Sequence, residues 1–270
     1  MVNNRVILKK QYINEYNRNA NCLKISFKIV DNLQSFKDKL SILGTNYTNL
    51  EDNLIAIERP IVLMNNSGYS VEIISDREIV IKSESIFKDS SYAEIDTSNL
   101  TVYSLYKLFY LTYSSKIKIG NLKLKSNEDN IDAINTFNLC MYAMNIDFTD
   151  TSICNISDMT RMFSECYNIE ELDLTPIKTD RLTKMVGTFA DCSELRIIKA
   201  PNIKSSLWDN ELDIRSAFIG SHNLEHIDLS GLEYKQIYSL GTSGLRPKDK
   251  CTLILKDVTL KYDKYLDKWI

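Results

Sequence analysis

The sequence is poor in glycine, proline and histidine, and it has no long apolar run. Its 270 residues include eight Gly, four Pro and two His. No stretch approaches the roughly 18 consecutive apolar residues that a membrane-spanning helix needs. Residues 1 to 19 have only a short apolar run, Val6 to Leu8, and no small-residue cleavage site, so they do not have the pattern of a secretory signal. We therefore expect no membrane partner and a cytoplasmic location.

An excess of positive charge is also lacking. The chain has 33 Lys and Arg against 36 Asp and Glu, which gives a formal net charge of −3. Because phosphate backbones and anionic lipids attract basic surfaces, this balance argues against nucleic acid as the main partner. A nucleic-acid role would need a patch assembled from dispersed lysines. The candidates are Lys116, Lys118, Lys123 and Lys125.

The common signatures of catalysis are absent from the chain, apart from one H-x-x-E-H pattern. C-x-x-C, G-x-x-x-x-G-K-[ST], G-x-G-x-x-G and G-x-S-x-G do not occur. His222, Glu225 and His226 carry this pattern here. In zinc proteases that have it, the two His bind the metal and the Glu is the base. Here His226 immediately precedes a strand-like run, so we do not expect one helix through both His. We predict no catalytic residue, metal or cofactor, and we keep metal-dependent hydrolysis as an alternative.

A repeat is the strongest signal in the sequence. Five phenylalanines fall in register at spacings of 28, 26, 26 and 29 residues: Phe109, Phe137, Phe163, Phe189 and Phe218. A period of 20 to 50 residues predicts stacked structural units. In the best-formed unit, Met159, Met162, Phe163 and Cys166 follow the i, i+3, i+4, i+7 spacing, which predicts a short helix with one buried stripe.

Each unit continues with a strand-like triplet. About nine residues after the Phe, the chain alternates apolar, polar and apolar side chains, as in Leu172-Asp173-Leu174, which is typical of a half-buried strand. The fold class we predict is therefore an α/β solenoid of helix-plus-strand units. Three of the six Cys recur once per unit, at Cys140, Cys166 and Cys192. We interpret them as a ladder of small buried, reduced residues, not as a disulfide or metal site.

The motif M-x-x-M-F-x-x-C-x-x-[LI]-x-x-L-D-L, carried by residues 159–174, resembles the BspA-like (lipoprotein-type) leucine-rich repeats of bacteria. The similarity covers roughly residues 95 to 257. It implies a non-enzymatic, horseshoe-like surface that binds other proteins. Many members of that family look like surface-displayed adhesion or recognition proteins, so the resemblance also implies surface adhesion as an alternative function.

The domain division that we predict has three parts. Residues 1–90 lack the repeat and form an α+β capping module, with a strand at 23–29, a helix at 33–40 and a hairpin around 65–68. Residues 91–257 form the leucine-rich-repeat stack. Residues 258–270 carry a helical stripe from Val258 to Trp269 and form a capping helix, with a partner-binding tail as the alternative.

The predicted binding site is the face formed by the outward side chains of the strands, which is the extended concave side in such solenoids. The acidic side chains near its centre favour a partner protein with a partly basic surface. One hypothesis is an inhibitor or scaffold, derived from a mobile element, that acts on a cellular enzyme complex; a solvated face of mixed charge is the structural alternative. The candidate residues are Lys118, Asn145, Asp147, Glu171, Asp173, Lys199, His226 and Asp228.

Overall fold

The structure is a computed structural model that describes residues 85–88, 92–125, 131–205, 212–237 and 243–270, together with the backbone of six earlier strands. These six strands are β1 (Asn4–Lys10), β2 (Cys22–Ile29), β3 (Tyr47–Leu50), β4 (Leu54–Ile57), β5 (Tyr69–Ser75) and β6 (Ile79–Ile81).

Thirteen further strands, most of them two to four residues long, lie in the rest of the described chain and are separated by turns. They are β7 (Tyr92–Asp96), β8 (Leu100–Val102), β9 (Lys116–Lys118), β10 (Lys123–Leu124), β11 (Ile131–Asp132), β12 (Asn145–Asp147), β13 (Ile156–Asp158), β14 (Glu171–Asp173), β15 (Ile197–Lys199), β16 (His226–Leu229), β17 (Thr252–Leu255), β18 (Thr259–Asp263) and β19 (Lys268–Trp269).

The fold is a β-solenoid, so the prediction of an α/β solenoid with a helix in each unit was wrong. The described residues contain no α-helix, and their one helical feature is a 3₁₀ turn at 234–237. The predicted stacking of units is present, because equivalent strands of successive coils pair in parallel.

A chain of overlapping turns replaces the predicted helix. Around Phe163, the amides of residues 162, 164 and 166 each donate to the carbonyl three residues earlier, whereas the amides of residues 161, 163 and 165 donate to the next coil. The residues two before and two after each repeat Phe have positive φ angles. For Phe163 these residues are Arg161, at +52°, and Glu165, at +61°. A right-handed helix cannot contain such residues. Overlapping turns also bring residues three and four apart to one side, which explains why the spacing resembled a helix.

The core is organised around six stacked phenylalanine rings. Their centroids lie 5.0 to 5.7 Å apart, and the ring planes deviate from parallel by 2° to 18°. The first ring, Phe87, extends the predicted column of five by one coil, at a shorter spacing of 22 residues. A seventh ring, Phe148, packs edge-on against both Phe137 and Phe163.

The described strands form four sheets, two of which have six strands each. The first sheet has the order β1-β5-β2-β7-β9-β12, and the last has the order β14-β15-β16-β17-β18-β19. A five-stranded sheet, β10-β8-β6-β4-β3, and the pair β11-β13 complete the set. The early strands therefore extend the sheets of the repeats, since β2 pairs with β7 and β6 pairs with β8.

Two predictions for the N-terminal 90 residues can be compared with the structure. The strand predicted at 23–29 is β2. The run after the predicted hairpin turn is β5, which pairs with β1 and β2. The run before that turn and the helix predicted at 33–40 lie outside the described residues.

The capping helix predicted at 258–270 was wrong. This segment instead forms β18 and β19, which pair antiparallel with each other, while β18 pairs antiparallel with β17. Tyr262 is buried and its ring lies 5.4 Å from that of Trp269, whereas Tyr265 is exposed at the turn. An antiparallel hairpin thus ends the parallel stack.

The cysteine ladder is present, and the structure explains its chemistry. Cys140, Cys166 and Cys192 are buried and free of disulfides. Each Sγ donates to the carbonyl of the Phe in the preceding coil, at 3.1 to 3.2 Å. Thr112 and Ser221 occupy the same position at the ends of the ladder, and their hydroxyls make the same bond. The position therefore requires a small side chain that can donate a hydrogen bond.

Candidate protein-binding face

All eight predicted site residues lie in β9, β12, β14, β15 and β16, at positions that alternate with buried residues. We call the surface formed by these outward side chains and those of β7 the strand face. Strand register arranges it in two columns, with buried apolar residues such as Leu172 between them. That these residues bind a protein stays a prediction.

The first column lies near the amino ends of the strands and contains charged, polar and apolar side chains. Its members are Glu94, Lys116, Asn145, Glu171, Ile197 and His226. The second column is charged throughout. Its members are Asp96, Lys118, Asp147, Asp173, Lys199 and Asp228.

The aspartates of the second column also shape the backbone. Oδ1 of Asp147 accepts a hydrogen bond from the amide of Thr149 at 2.8 Å, and Oδ1 of Asp173 accepts one from the amide of Thr175 at 3.0 Å. Asp in this position closes a turn after the strand. Part of the Asp periodicity therefore has a structural cause that is independent of binding.

The strand face is interrupted between β12 and β14. These strands belong to different sheets, each as an edge strand, and no hydrogen bond joins them. A cavity of about 490 Å³ opens between residues 144–149 on one side and Asn168, Glu170, Glu171, Asp173 and Pro176 on the other. We call this feature the β12–β14 gap.

Charge and side-chain size explain why the sheet breaks here. In-register pairing would set Asp147 opposite Asp173, and like charges directly opposite each other destabilise a strand pair. Elsewhere in the described column each Asp faces a Lys. The buried Phe148 is also bulkier than Leu174 and Ala200, which hold the equivalent position in the next two coils.

Unpaired backbone groups of both strands face the gap. In a parallel ladder, alternate residues bond to opposite neighbours. The Asn145 amide donates to the Ser115 carbonyl, and the Asp147 carbonyl accepts from the Ile119 amide, both in the coil of β9. The backbone groups of Ile146 therefore point toward β14. By the same rule, β14 uses the groups of Leu172 to pair with β15, and those of Glu171 and Asp173 point toward β12.

Four carboxylates surround the gap. Asp147 lies on the β12 side, and Glu170, Glu171 and Asp173 lie on the β14 side. The Nζ of Lys199 forms an ion pair with Glu171, which raises the pKa of that lysine. Hydrogen bonds from Thr175 and, to a lesser extent, the charge of Lys199 lower the pKa of Asp173. The gap therefore has a net negative environment near neutral pH.

An exposed aromatic pair lies on the coils of β9 and β12, and the sequence reasoning missed it. Tyr113 and Tyr142 are 44% and 54% exposed, and their ring centroids lie 5.7 Å apart. Met144, which lines the gap, is 61% exposed. Each Tyr stands three residues before a strand in successive coils, so the repeat register contained the signal. Exposed aromatic and Met side chains are enriched at protein interfaces.

The H-x-x-E-H stretch does not form the single helix that this zinc-protease pattern requires. His222 lies in a turn, where Nδ1 is 3.1 Å from the carbonyl oxygen of Arg246, and His226 is the first residue of β16. Glu225 forms ion pairs with Arg196 and Lys248, which lower its pKa to about 2 and make it a weak base. Within the described ranges, no group of three or more His, Cys, Asp or Glu side chains could hold a metal ion.

The dispersed lysines are divided between two sheets. Lys116 and Lys118 lie in the first six-stranded sheet, whereas Lys123 lies in the five-stranded sheet. Lys118 stands between Asp96 and Asp147. The positive charge is therefore divided between two sheets and is partly neutralised.

No protein-family model, curated protein or solved structure matches the chain. The described part of the chain contains no helix that is long and apolar enough to cross a membrane. The observations that bear on function are therefore the geometry of the strand face and its gap.

Proposed function

We propose that this chain is a non-enzymatic protein-binding solenoid and that the strand face is its docking surface. One observation carries the proposal: the β12–β14 gap combines a cavity, unpaired strand edges, four carboxylates and the exposed side chain of Met144. Buried aromatic anchors and complementary charge are typical of protein recognition. The partner has a partly basic surface, because acidic groups surround the gap.

The motif supports membership of the BspA-like repeat class, in which protein binding is the implied activity. Within that class, we propose that the chain acts as an inhibitor or scaffold on a cellular enzyme complex. This proposal is supported by the regularly stacked β framework, which presents a preformed surface that can bind with little reorganisation. Surface adhesion remains the competing function, and cell fractionation separates the two.

Affinity capture from a lysate of the source cell, or of its host, tests the docking surface. The bait proteins are the wild type, the strand-face variant Glu171→Lys/Asp173→Lys and the control variant Asp132→Lys/Asp180→Lys. The control makes the same change in net charge at exposed acidic residues outside the strand face. We expect a protein that the wild type and the control retain and the strand-face variant loses. Equal retention by all three baits would refute the strand face as the docking surface.

A further inference from the structure

The charged column of the strand face has a position that no residue in the described part of the chain fills. Before the gap the column reads Asp96, Lys118, Asp147, and after it reads Asp173, Lys199, Asp228. A Lys thus stands between two Asp on each side. One more cation, placed between Asp147 and Asp173, would continue the alternation through the whole column.

The backbone around this position is prepared for a strand. The amide and carbonyl of Ile146 face the gap from β12, and those of Glu171 and Asp173 face it from β14, with no hydrogen bond between the two edges. An extended segment placed between them would pair with both strands. Addition of a strand to an open sheet edge is a recurrent mode of peptide recognition, in which side-chain sites set the specificity.

The buried residues beside the column determine which side chains a bound segment would need. Its flanking side chains would lie beside Ile146 and Leu172 at one end and beside Phe148 and Leu174 at the other, all of them buried. Those positions require apolar residues. The chain's own strands around the gap already follow this pattern at residues 117–119 and 198–200, which read Ile-Lys-Ile and Ile-Lys-Ala.

We propose that the β12–β14 gap binds an extended segment of a partner protein with the pattern apolar–Lys/Arg–apolar, whose cation lies between Asp147 and Asp173. This inference deepens the proposed function and rests on it. The occupant is a partner strand because the site combines two neighbouring aspartates, Asp147 and Asp173, with two parallel strand edges, and because the exposed Met144 lines it.

Insertion requires the two edges to separate slightly. A strand between them needs about 9.6 Å, twice the usual spacing of neighbouring strands. Some Cα atoms of β12 and β14 now lie within 8 Å of each other, so the edges must move apart by at least about 1.6 Å. The turns behind the gap stay joined by the Phe137–Phe163 ring stack at 5.3 Å and by the bond from the Phe137 amide to the Met162 carbonyl at 2.8 Å. These contacts can serve as the hinge.

The test uses a fluorescein-labelled peptide with the sequence of residues 195–201, Leu-Arg-Ile-Ile-Lys-Ala-Pro, and the full chain. The control peptide carries Lys199→Glu. Fluorescence anisotropy gives the affinity, and hydrogen exchange gives the protection of individual amides. The protein variants are Asp147→Asn/Asp173→Asn at the gap and Asp96→Asn/Asp228→Asn in the same column away from it. Each Asn keeps an oxygen that can close the following turn.

We expect saturable binding of the peptide to the wild type, with affinity at least about tenfold lower for the gap variant and for the control peptide, a difference of about 1.4 kcal/mol. The column control should bind within about twofold of the wild type. The amides of Ile146, Phe148, Glu171 and Asp173 should exchange more slowly when the peptide is bound. Absence of saturable binding up to about 1 mM peptide would overturn the proposal.

Binding without protection of these four amides would also overturn it, because the peptide would then not occupy the strand edges. Failure here is distinguishable from failure of the proposed function. If the strand-face variant loses a captured partner while the peptide does not bind, the docking surface stands and strand insertion is wrong. If neither the capture nor the peptide experiment depends on the gap carboxylates, both proposals are wrong.

Discussion

Substitution of Phe163 by Ala tests the aromatic column that holds the coils together. The Phe163 ring stacks on Phe137 at 5.3 Å and on Phe189 at 5.7 Å, and it meets the edge of Phe148 at 6.2 Å. A buried Phe→Ala change costs about 3–5 kcal/mol through lost burial and the remaining cavity. Each aromatic pair adds about 0.5–1.5 kcal/mol beyond area burial.

A matched control is Phe218→Ala. Within the described residues, Phe218 is stacked on one ring only, Phe189, at 5.5 Å. Phe163 thus has two more ring partners, and its loss should lower the free energy of unfolding by about 1–3 kcal/mol more than the loss of Phe218. Urea unfolding gives both values, compared through their midpoints at a constant m value. A difference below about 0.5 kcal/mol would refute the idea that the ring column stabilises the stack.

Three further predictions concern single positions. Cys166→Ala should lower stability by about 1–2 kcal/mol more than Cys166→Ser, because only Ser keeps a donor to the Phe137 carbonyl; thermal unfolding checks this order. Ion pairs lower the pKa of Glu225 from 4.5 to about 2, so its stabilising effect is present above pH 4.5 and is lost as pH falls to 2. Urea midpoints of the wild type and Glu225→Gln should therefore converge toward pH 2. A difference between the two midpoints that grows as pH falls would contradict the assignment. Gly231→Ala would place a Cβ 2.2 Å from the Ile203 carbonyl oxygen, and we expect a loss of about 1–3 kcal/mol, measured by denaturant unfolding.

The sequence predicted the stacking and the columns, because both follow from the repeat period and from strand alternation. Placing Asp173, Lys199 and Asp228 in one column needed only the distance from each Phe to its triplet. The helix prediction failed because a helical pattern of buried residues does not specify the sign of φ. Residues such as Arg161 and Glu165 give no local signal for a left-handed conformation, which the hydrogen bonds between coils impose.

The β12–β14 gap has a signal in the sequence. Asp147 and Asp173 are consecutive in a column whose other described neighbours alternate in charge. The bulky Phe148 falls at a position where the next two coils have Leu174 and Ala200. What periodicity could not reveal is that these two features open the sheet, since that depends on the packing of Phe148 edge-on against two stacked rings.

The most direct test of the gap is hydrogen exchange in the free protein. The amides of Glu171 and Asp173 face the gap, and the equivalent amides of Ile197 and Lys199 in the next coil pair with β14. We expect exchange at Glu171 and Asp173 to be at least about tenfold faster than at Ile197 and Lys199, because unpaired edge amides need no opening event. Equal protection of the two pairs would show that β12 and β14 are joined in solution and would contradict the account of the binding site.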